Sequence, residues 1–199
     1  MGEGTFASMR GVFQDGLAEA ARVLDLFRRD EACLVACDAF AAMLADSFRS
    51  GGKALAAGNG GSMADALHFA EEFTGRFRRD RAPLPAMALG ESTHLTCVSN
   101  DYGFDHVFSR LVEAFGQAGD VLVLLSTSGN SNNLILAAEA ARAKGVKVVG
   151  FLGRGGGRLA PLCDLVVMAP GETSDRIQEV HMTVLHLAIE AVEKMLGVD

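Results

Sequence analysis

The sequence predicts an α/β fold in which helices cover both faces of a parallel β-sheet. Five short apolar runs alternate with helical patterns between residues 51 and 199. Such alternation is typical of βαβ units, and strands that are buried on both faces are apolar along their whole length. Glycine is enriched to 23 of the 199 residues and collects at the ends of these runs, where tight turns are needed. We therefore predict a single three-layer domain.

An N-terminal helical segment is predicted to occupy residues 1–50. Apolar side chains recur at helical spacing over residues 14–50. The pair Gly51-Gly52 ends this pattern, because glycine after the last periodic residue is a helix stop signal. The α/β part is predicted for residues 51–199.

The elements of the α/β part follow in order. The predicted strands are the five apolar runs, residues 54–57, 86–89, 121–125, 146–152 and 165–168. The predicted helices are residues 62–74, 93–99, 105–115, 132–143 and 176–196. The stretch RFRRDRAP, residues 76–83, is the longest charged run and is predicted to be a solvated loop.

Composition and charge restrict the classes of function. The net charge of −7 argues against nucleic acid or a membrane surface as the main partner. The four cysteines form no CxxC pair, and Cys33 and Cys37 are expected to be buried thiols. The first ten residues lack a signal-peptide pattern, and no apolar run approaches the roughly 18 residues of a membrane span. We expect a cytoplasmic protein.

Two turns after predicted strands have the composition of anion sites. The first, GNGGS at residues 58–62, exposes backbone N–H groups next to the positive end of the following helix. Ser62 could also cap that helix, and the stretch alone could equally be a tight turn that binds nothing. It is neither a Walker A loop nor a GxGxxG motif.

The second turn is STSGNS at residues 126–131, which opens the helix after the third strand. Four hydroxyls surround a glycine there, on Ser126, Thr127, Ser128 and Ser131. By itself this is a hydroxyl-rich loop with a helix cap. Ligands in doubly wound sheets lie beyond the carboxyl ends of the strands, so the two turns together favour a phosphate site built from neutral donors.

Polar side chains at helical spacing are the remaining candidates. His68 and Glu72 lie four residues apart and share one helical face, which suits a metal pair, an acid–base pair or an ordinary solvated contact. In the last helix, Gln178 is spaced from Asp175 as in a capping box. Two histidines of that helix could be satisfied surface or core residues, His181 and His186. Residues 99–105, SNDYGFD, are predicted to form a turn.

Taken together in chain order, these blocks resemble a known family. GNGGS, DALHFAEEFTGRF, SNDYGF, STSGNS and DRIQEVHMTVLH are similar to the phosphoheptose isomerases, enzymes of the sugar-isomerase (SIS) fold. The resemblance implies a flavodoxin-like five-stranded parallel sheet, with the N-terminal segment packed on the domain and on neighbouring subunits of a homotetramer. It also implies interconversion of sedoheptulose 7-phosphate and D-glycero-D-manno-heptose 7-phosphate, the first step toward ADP-heptose and the heptose of lipopolysaccharide or related surface glycans.

The same resemblance implies a set of site residues near the subunit interfaces. Glu72 and His186 would be catalytic. One Zn²⁺ per subunit would be held by four side chains, those of His68, Glu72, Gln178 and His186. The substrate would contact Asn59, Gly60, Gly61, Ser62, Glu72, Asn100, Asp101, Ser126, Thr127, Ser128, Ser131 and Gln178.

Spacing on the last helix constrains that ligand set. Gln178 and His186 are eight residues apart, which is about 12 Å along a straight helix, so one ion would be hard to reach from both. We infer that the helix bends or, as we favour, that one ligand comes from a neighbouring subunit. Spacing alone would instead pair Gln178 with His181.

Three alternative functions stay open. A non-catalytic relative binds the bacterial replication initiator; its family keeps both loops but lacks the carboxylate and the histidine that stand here at Glu72 and His186. A regulatory sugar-phosphate sensor would need the loops but no base. An isomerase for another ketose phosphate would share the chemistry.

Overall fold

A five-stranded parallel sheet forms the centre of the protein, whose structure is a computed structural model that describes residues 3–199. The strands are β1 Ala54–Gly58, β2 Ala86–Ala88, β3 Val121–Ser126, β4 Lys147–Gly153 and β5 Leu165–Ala169. They lie in the order β2-β1-β3-β4-β5, and every neighbouring pair is parallel. The predicted sheet is confirmed, and each strand begins and ends within one residue of the predicted run.

Seven α-helices accompany the sheet in the described residues. They are α1 Glu3–Arg29, α2 Glu31–Arg49, α3 Gly61–Thr74, α4 Ser92–Asp101, α5 Ser109–Phe115, α6 Asn132–Ala143 and α7 Ser174–Leu196. The pattern predicted at residues 105–115 is divided into a 3₁₀ helix, Phe104–His106, and the short helix α5. Among these described helices, none has both the length and the apolar character that a membrane crossing requires.

The N-terminal segment contains two helices because Asp30 interrupts it. Asp30 has extended backbone angles, and its carboxylate accepts hydrogen bonds from the backbone N–H groups of Ala32 and Cys33, at 2.9 and 3.4 Å. Aspartate is a favoured N-cap residue, so a new helix starts after it. Residues 1 and 2 of the predicted segment lie outside the described residues.

Alternate side chains of the strands face two separate cores. On one face, Ala56 of β1 and Phe151 of β4 pack with buried residues of α2, α3 and α7. On the other face, Leu55 and Leu152 of the same two strands pack with α5 and α6. Successive side chains of a strand point to opposite faces, so the uninterrupted apolar runs supply both cores.

The loop after α3 is held by an ion pair inside the protein. Nε of Arg81 lies 2.6 Å from Oε1 of Glu193, and the two side chains are 3% and 5% exposed. The same guanidinium donates to the carbonyl oxygens of Glu72 and Phe73 near the end of α3, at 2.8 and 2.7 Å. The prediction of a solvated loop for residues 76–83 is therefore wrong for Arg81, which joins the end of α3 to α7.

Candidate functional site

The two turns that the sequence singles out meet at one edge of the sheet. β1 and β3 are neighbours, with Gly58 opposite Leu125 at their carboxyl ends. The chain adds β2 on one side of this pair and β4 and β5 on the other, so the space above β1 and β3 is the switch point of the sheet. Residues 58–62 and 126–131 both lie there, as the sequence predicts.

Glycines at the end of β1 and in the first turn allow close packing there, including the approach of α7. A Cβ atom on Gly61 would lie 2.7 Å from Oε1 of Gln178, and one on Gly58 would lie 2.5 Å from the backbone oxygen of Ser62. Gly60, with φ of +57°, occupies the N-cap position of α3, so the expectation that Ser62 caps this helix is wrong. Ser62 Oγ instead accepts a hydrogen bond from Nε2 of Gln178 at 3.2 Å. Gln178 therefore does not cap α7.

A reciprocal pair of amides joins the two turns. Nδ2 of Asn59 donates to Oδ1 of Asn133 at 3.0 Å, and Nδ2 of Asn133 donates back to Oδ1 of Asn59 at 2.9 Å. Asn133 lies in the first turn of α6 and is buried. Asn133 is not among the residues predicted from the sequence, because its local sequence carries no sign of a partner 74 residues away.

A cavity of about 190 Å³ lies between the two turns and the start of α7. Its lining includes seven of the predicted substrate contacts, which are Asn59, Ser62, Ser126, Thr127, Ser128, Ser131 and Gln178. Leu125 and Ser174 complete the lining. Ser174 was missed, although it opens the helix that follows β5 and so stands at the same edge. Hydroxyl and amide groups, together with free N–H groups at helix starts, are the donors that this cavity offers to a phosphate.

The hydroxyl-rich turn is compact because a glycine allows another loop to touch it. Gly129 has φ of +64°, and a Cβ atom there would lie 1.9 Å from the carbonyl oxygen of Gly156. Its N–H donates to Oγ of Ser126 at 3.0 Å. The turn therefore closes on itself and against the loop after β4.

One cation reaches the wall of the cavity from outside. Arg154 follows β4, and its Nε donates to the carbonyl oxygen of Thr127 at 3.1 Å. Its Nη2 donates to the hydroxyl oxygens of Thr127 and Ser174, each at 3.0 Å. Arg154 is not among the residues predicted from the sequence; its position directly after a strand is the one signal that could have identified it.

A second group of candidate site residues lies further along α3 and on the facing part of α7. Ligand atoms of His68, Glu72 and His186 lie within 4.8 Å of one another in one chain. Nε2 of His68 is 3.2 Å from Oε1 of Glu72, and the rings of His68 and His186 are 4.9 Å apart at 78°. The ring of Phe77 stacks on His186 at 5.9 Å. Two imidazoles and a carboxylate are donors typical of zinc sites, so this cluster fits such an ion.

Gln178 does not join this cluster within one chain. Its amide contacts Ser62 in the first turn of α3, whereas His68 and Glu72 lie about 9 and 15 Å further along that helix. α7 is one continuous helix over Ser174–Leu196. The structure thus brings together three of the four predicted ligands, and a ligand from a neighbouring subunit stays a prediction.

Asn100 and Asp101 are not among the residues that line the cavity. They end α4 and are exposed, so the predicted turn at residues 99–105 is wrong for its first residues. Nδ2 of Asn100 donates to Oδ1 of Asp101 at 2.8 Å. The predicted contact of this pair with the substrate stays a prediction.

Burial shifts the pKa of one ionisable group on α3 and of one on α7. Burial raises the pKa of Asp65 to about 6, against the smaller opposing effect of His68. Burial lowers the pKa of His181 to about 4, and its Nε2 lies 3.2 Å from the carbonyl oxygen of Leu152. His181 is therefore a neutral core histidine, and His186 is the histidine of α7 that belongs to the cluster.

Comparison with known proteins identifies the family. Residues 17–153 match the family model of the SIS domain. Phosphoheptose isomerases of Yersinia pestis and Vibrio cholerae are 52% and 51% identical to the chain, over 89% and 91% of its length and 93% and 95% of theirs. The solved structure of the phosphoheptose isomerase of Neisseria gonorrhoeae has a TM-score of 0.86 and 39% identity, and the match covers 94% of this chain and 99% of that one. The chain therefore belongs to the SIS domain family and, within it, to the phosphoheptose isomerases.

Proposed function

We propose that the protein interconverts sedoheptulose 7-phosphate and D-glycero-D-manno-heptose 7-phosphate through an enediol. The observation that carries the proposal is the cluster of His68, Glu72 and His186 on helices that also line a hydroxyl-rich cavity. Relatives named phosphoheptose isomerase, at 52% identity, support the choice of substrate. The product would enter ADP-heptose synthesis for surface glycans such as lipopolysaccharide, and we place this step in the cytoplasm.

Glu72 is the proposed base and His186 the proposed acid. In the direction from ketose to aldose, the Glu72 carboxylate removes a proton from C1 while His186 donates a proton to the oxygen on C2, which gives the enediol. Glu72 then returns its proton to C2, and His186 takes the proton from the oxygen on C1. Both residues end in their starting protonation states. The contact of His68 with Oε1 of Glu72, at 3.2 Å, orients the carboxylate.

The cavity would bind the phosphate group at the other end of the sugar. Ser62 lines the cavity, and His68 follows about two turns later on the same helix. This separation suits a long substrate, whose phosphate on C7 is remote from the reacting carbons C1 and C2. A phosphate held in the cavity therefore positions C1 near Glu72, although the cavity residues do not contact C1 or C2 themselves.

We also propose one Zn²⁺ per subunit, held by the cluster of His68, Glu72 and His186. The fourth ligand would be Gln178 of a neighbouring copy, because this residue lies away from the cluster in its own chain. When bound, the ion would act as a Lewis acid that stabilises negative charge on the substrate oxygens. Glu72 would bind the ion loosely, since tight ligation weakens a carboxylate as a base.

Assembly into a homotetramer would complete the site. Several apolar side chains of α1 are exposed in the single chain, and those of Val12, Phe13 and Leu17 are the most exposed. An exposed apolar helix face is typical of a surface that another subunit covers. Asn100 and Asp101, which do not line the cavity of their own chain, would then serve the site of a neighbour.

The test is turnover of sedoheptulose 7-phosphate followed by NMR. We expect the aldose 7-phosphate to form with the wild-type protein and to be lost in Glu72→Gln, while the folded assembly of the variant is unchanged. No product from the wild-type protein, with zinc supplied and the assembly intact, would contradict the proposal. That result would favour the sugar-phosphate sensor or the initiator-binding alternative, which require the loops but no base.

A further inference from the structure

Arg154 has left-handed backbone angles, which are energetically unfavourable for a residue that carries a side chain. Its φ is +49°, and no other residue except glycine has a positive φ in the part of the chain that the structure describes. The three residues that follow are glycines with φ of +79°, +78° and +52°. Left-handed angles strain residues that carry a Cβ atom, and such strain is typically retained for a function of the side chain.

The contacts of that side chain determine where two hydroxyl hydrogens can point. A guanidinium has only donors, so the hydroxyl oxygens of Thr127 and Ser174 must both accept from it, each at 3.0 Å. The two hydroxyls also lie 3.1 Å apart, which accounts for one of their hydrogens. One O–H hydrogen of the pair is left, and both residues line the cavity. Arg154 therefore leaves this hydroxyl pair with a donor for a ligand in the cavity.

Arg154 also supplies a charge that the cavity lacks. The nine described residues of the lining include no Lys or Arg, and the whole chain carries a net charge of −7. A bond from a guanidinium to a hydroxyl polarises the hydroxyl and strengthens the bond that it donates in turn. A dianionic ligand gains from both effects.

We propose that Arg154 is a positioning residue for the phosphate group of the substrate, which it serves by holding Thr127 and Ser174 as donors and by placing a cation behind them. This inference rests on the proposed function for the identity of the sugar, but its chemistry requires only a phosphomonoester or inorganic phosphate. Its test therefore measures phosphate binding apart from turnover.

The test compares three variants with the wild-type protein. Arg154→Gly removes the guanidinium and leaves a residue that adopts φ of +49° without strain. Arg154→Lys keeps a charge but loses the planar fork that contacts both hydroxyls. Arg158→Ala is the matched control, because Arg158 donates to the carbonyl oxygen of Asn130, on the same turn, and not to the two hydroxyls.

Binding of inorganic phosphate is measured by calorimetry, and KM and kcat are measured with sedoheptulose 7-phosphate. We expect phosphate affinity to fall about 10- to 100-fold in Arg154→Gly, which is the usual effect of losing a hydrogen bond to a charged group. Arg154→Lys should recover part of that loss, and Arg158→Ala should stay within about twofold of the wild type. The thermal midpoint of Arg154→Gly should not fall, whereas a purely structural role would lower it.

Two results would overturn the inference. One is an affinity of Arg154→Gly within twofold of the wild type, and the other is a wild-type protein that does not bind millimolar phosphate. Phosphate binding that depends on Arg154 in a protein without isomerase activity would support the inference and contradict the proposed function. The two proposals are thus distinguished by one set of measurements.

Discussion

Removal of the Arg81 guanidinium should destabilise the protein more than removal of any surface cation. The variant Arg81→Met keeps the apolar stem but leaves the carboxylate of Glu193 without its partner at a site only 5% exposed. It also removes the donors to the carbonyl oxygens of Glu72 and Phe73. Breaking one side of a buried ion pair costs about 3–5 kcal/mol, because the remaining charge stays desolvated. We expect a loss of that size in the free energy of unfolding.

The assay is urea denaturation at pH 7 with the protein concentration held constant, since assembly would add to the apparent stability. In a chain of this length the expected loss lowers the thermal midpoint by roughly 10 °C. The matched control is Arg78→Met, because Arg78 pairs with Glu190 at 2.6 Å but is 61% exposed. An exposed pair contributes less than about 1 kcal/mol.

A double variant separates the loss of the ion-pair attraction from the cost of leaving the buried Glu193 carboxylate unpaired. Arg81→Met combined with Glu193→Leu removes both charges, so it should be more stable than Arg81→Met alone. A loss of stability in Arg81→Met no larger than that in Arg78→Met would contradict this prediction, as would a double variant that lost the full sum of the two single changes.

Three further predictions concern the core histidine, the metal cluster and the compact turn. Burial lowers the pKa of His181 from 6.5 to about 4, so the unfolded chain binds the extra proton between these pH values and stability falls as the pH is lowered through this range. His181→Gln should remove about 2 kcal/mol of the stability difference between pH 7 and pH 4.5, as measured by urea denaturation; an unchanged difference would exclude His181 as its source. His186→Ala should lower the zinc content after dialysis from about one ion per chain to well below it, without loss of helical circular dichroism, because a three-residue cluster loses one ligand; full retention of zinc would contradict the assigned cluster. Gly129→Ala should cost at least about 2 kcal/mol, since its Cβ atom would lie 1.9 Å from the carbonyl oxygen of Gly156, and a thermal midpoint equal to that of the wild type would show that the turn can rearrange.

The strands could be predicted closely because their signal is local. A parallel strand covered on both faces is apolar at every position, and Val121–Ser126 is buried at every residue. The place of the two turns at residues 58–62 and 126–131 could be predicted as well, since a doubly wound sheet has its site at the carboxyl ends of its strands.

The errors and omissions concern residues whose partners are distant in sequence. Arg81 stands in a charged run that looks solvated, and its partner Glu193 is 112 residues away. Asn133 and Arg154 make contacts between turns. The periodicity of apolar residues in helices and strands gives no information about such contacts. Ser62 has the right chemistry for an N-cap, but Gly60, which lies two residues earlier and has a positive φ, takes that position.

The amide pair between Asn59 and Asn133 has a consequence for the speed and the thermodynamics of ligand capture. Its two hydrogen bonds, 3.0 and 2.9 Å long, fix the spacing of the turns after β1 and β3 before any ligand arrives. A site that is already in its bound shape loses little conformational entropy when it is filled. Association should then be limited by diffusion into the cavity and not by loop closure. Little of the favourable enthalpy of phosphate binding would be offset by ordering of the turns.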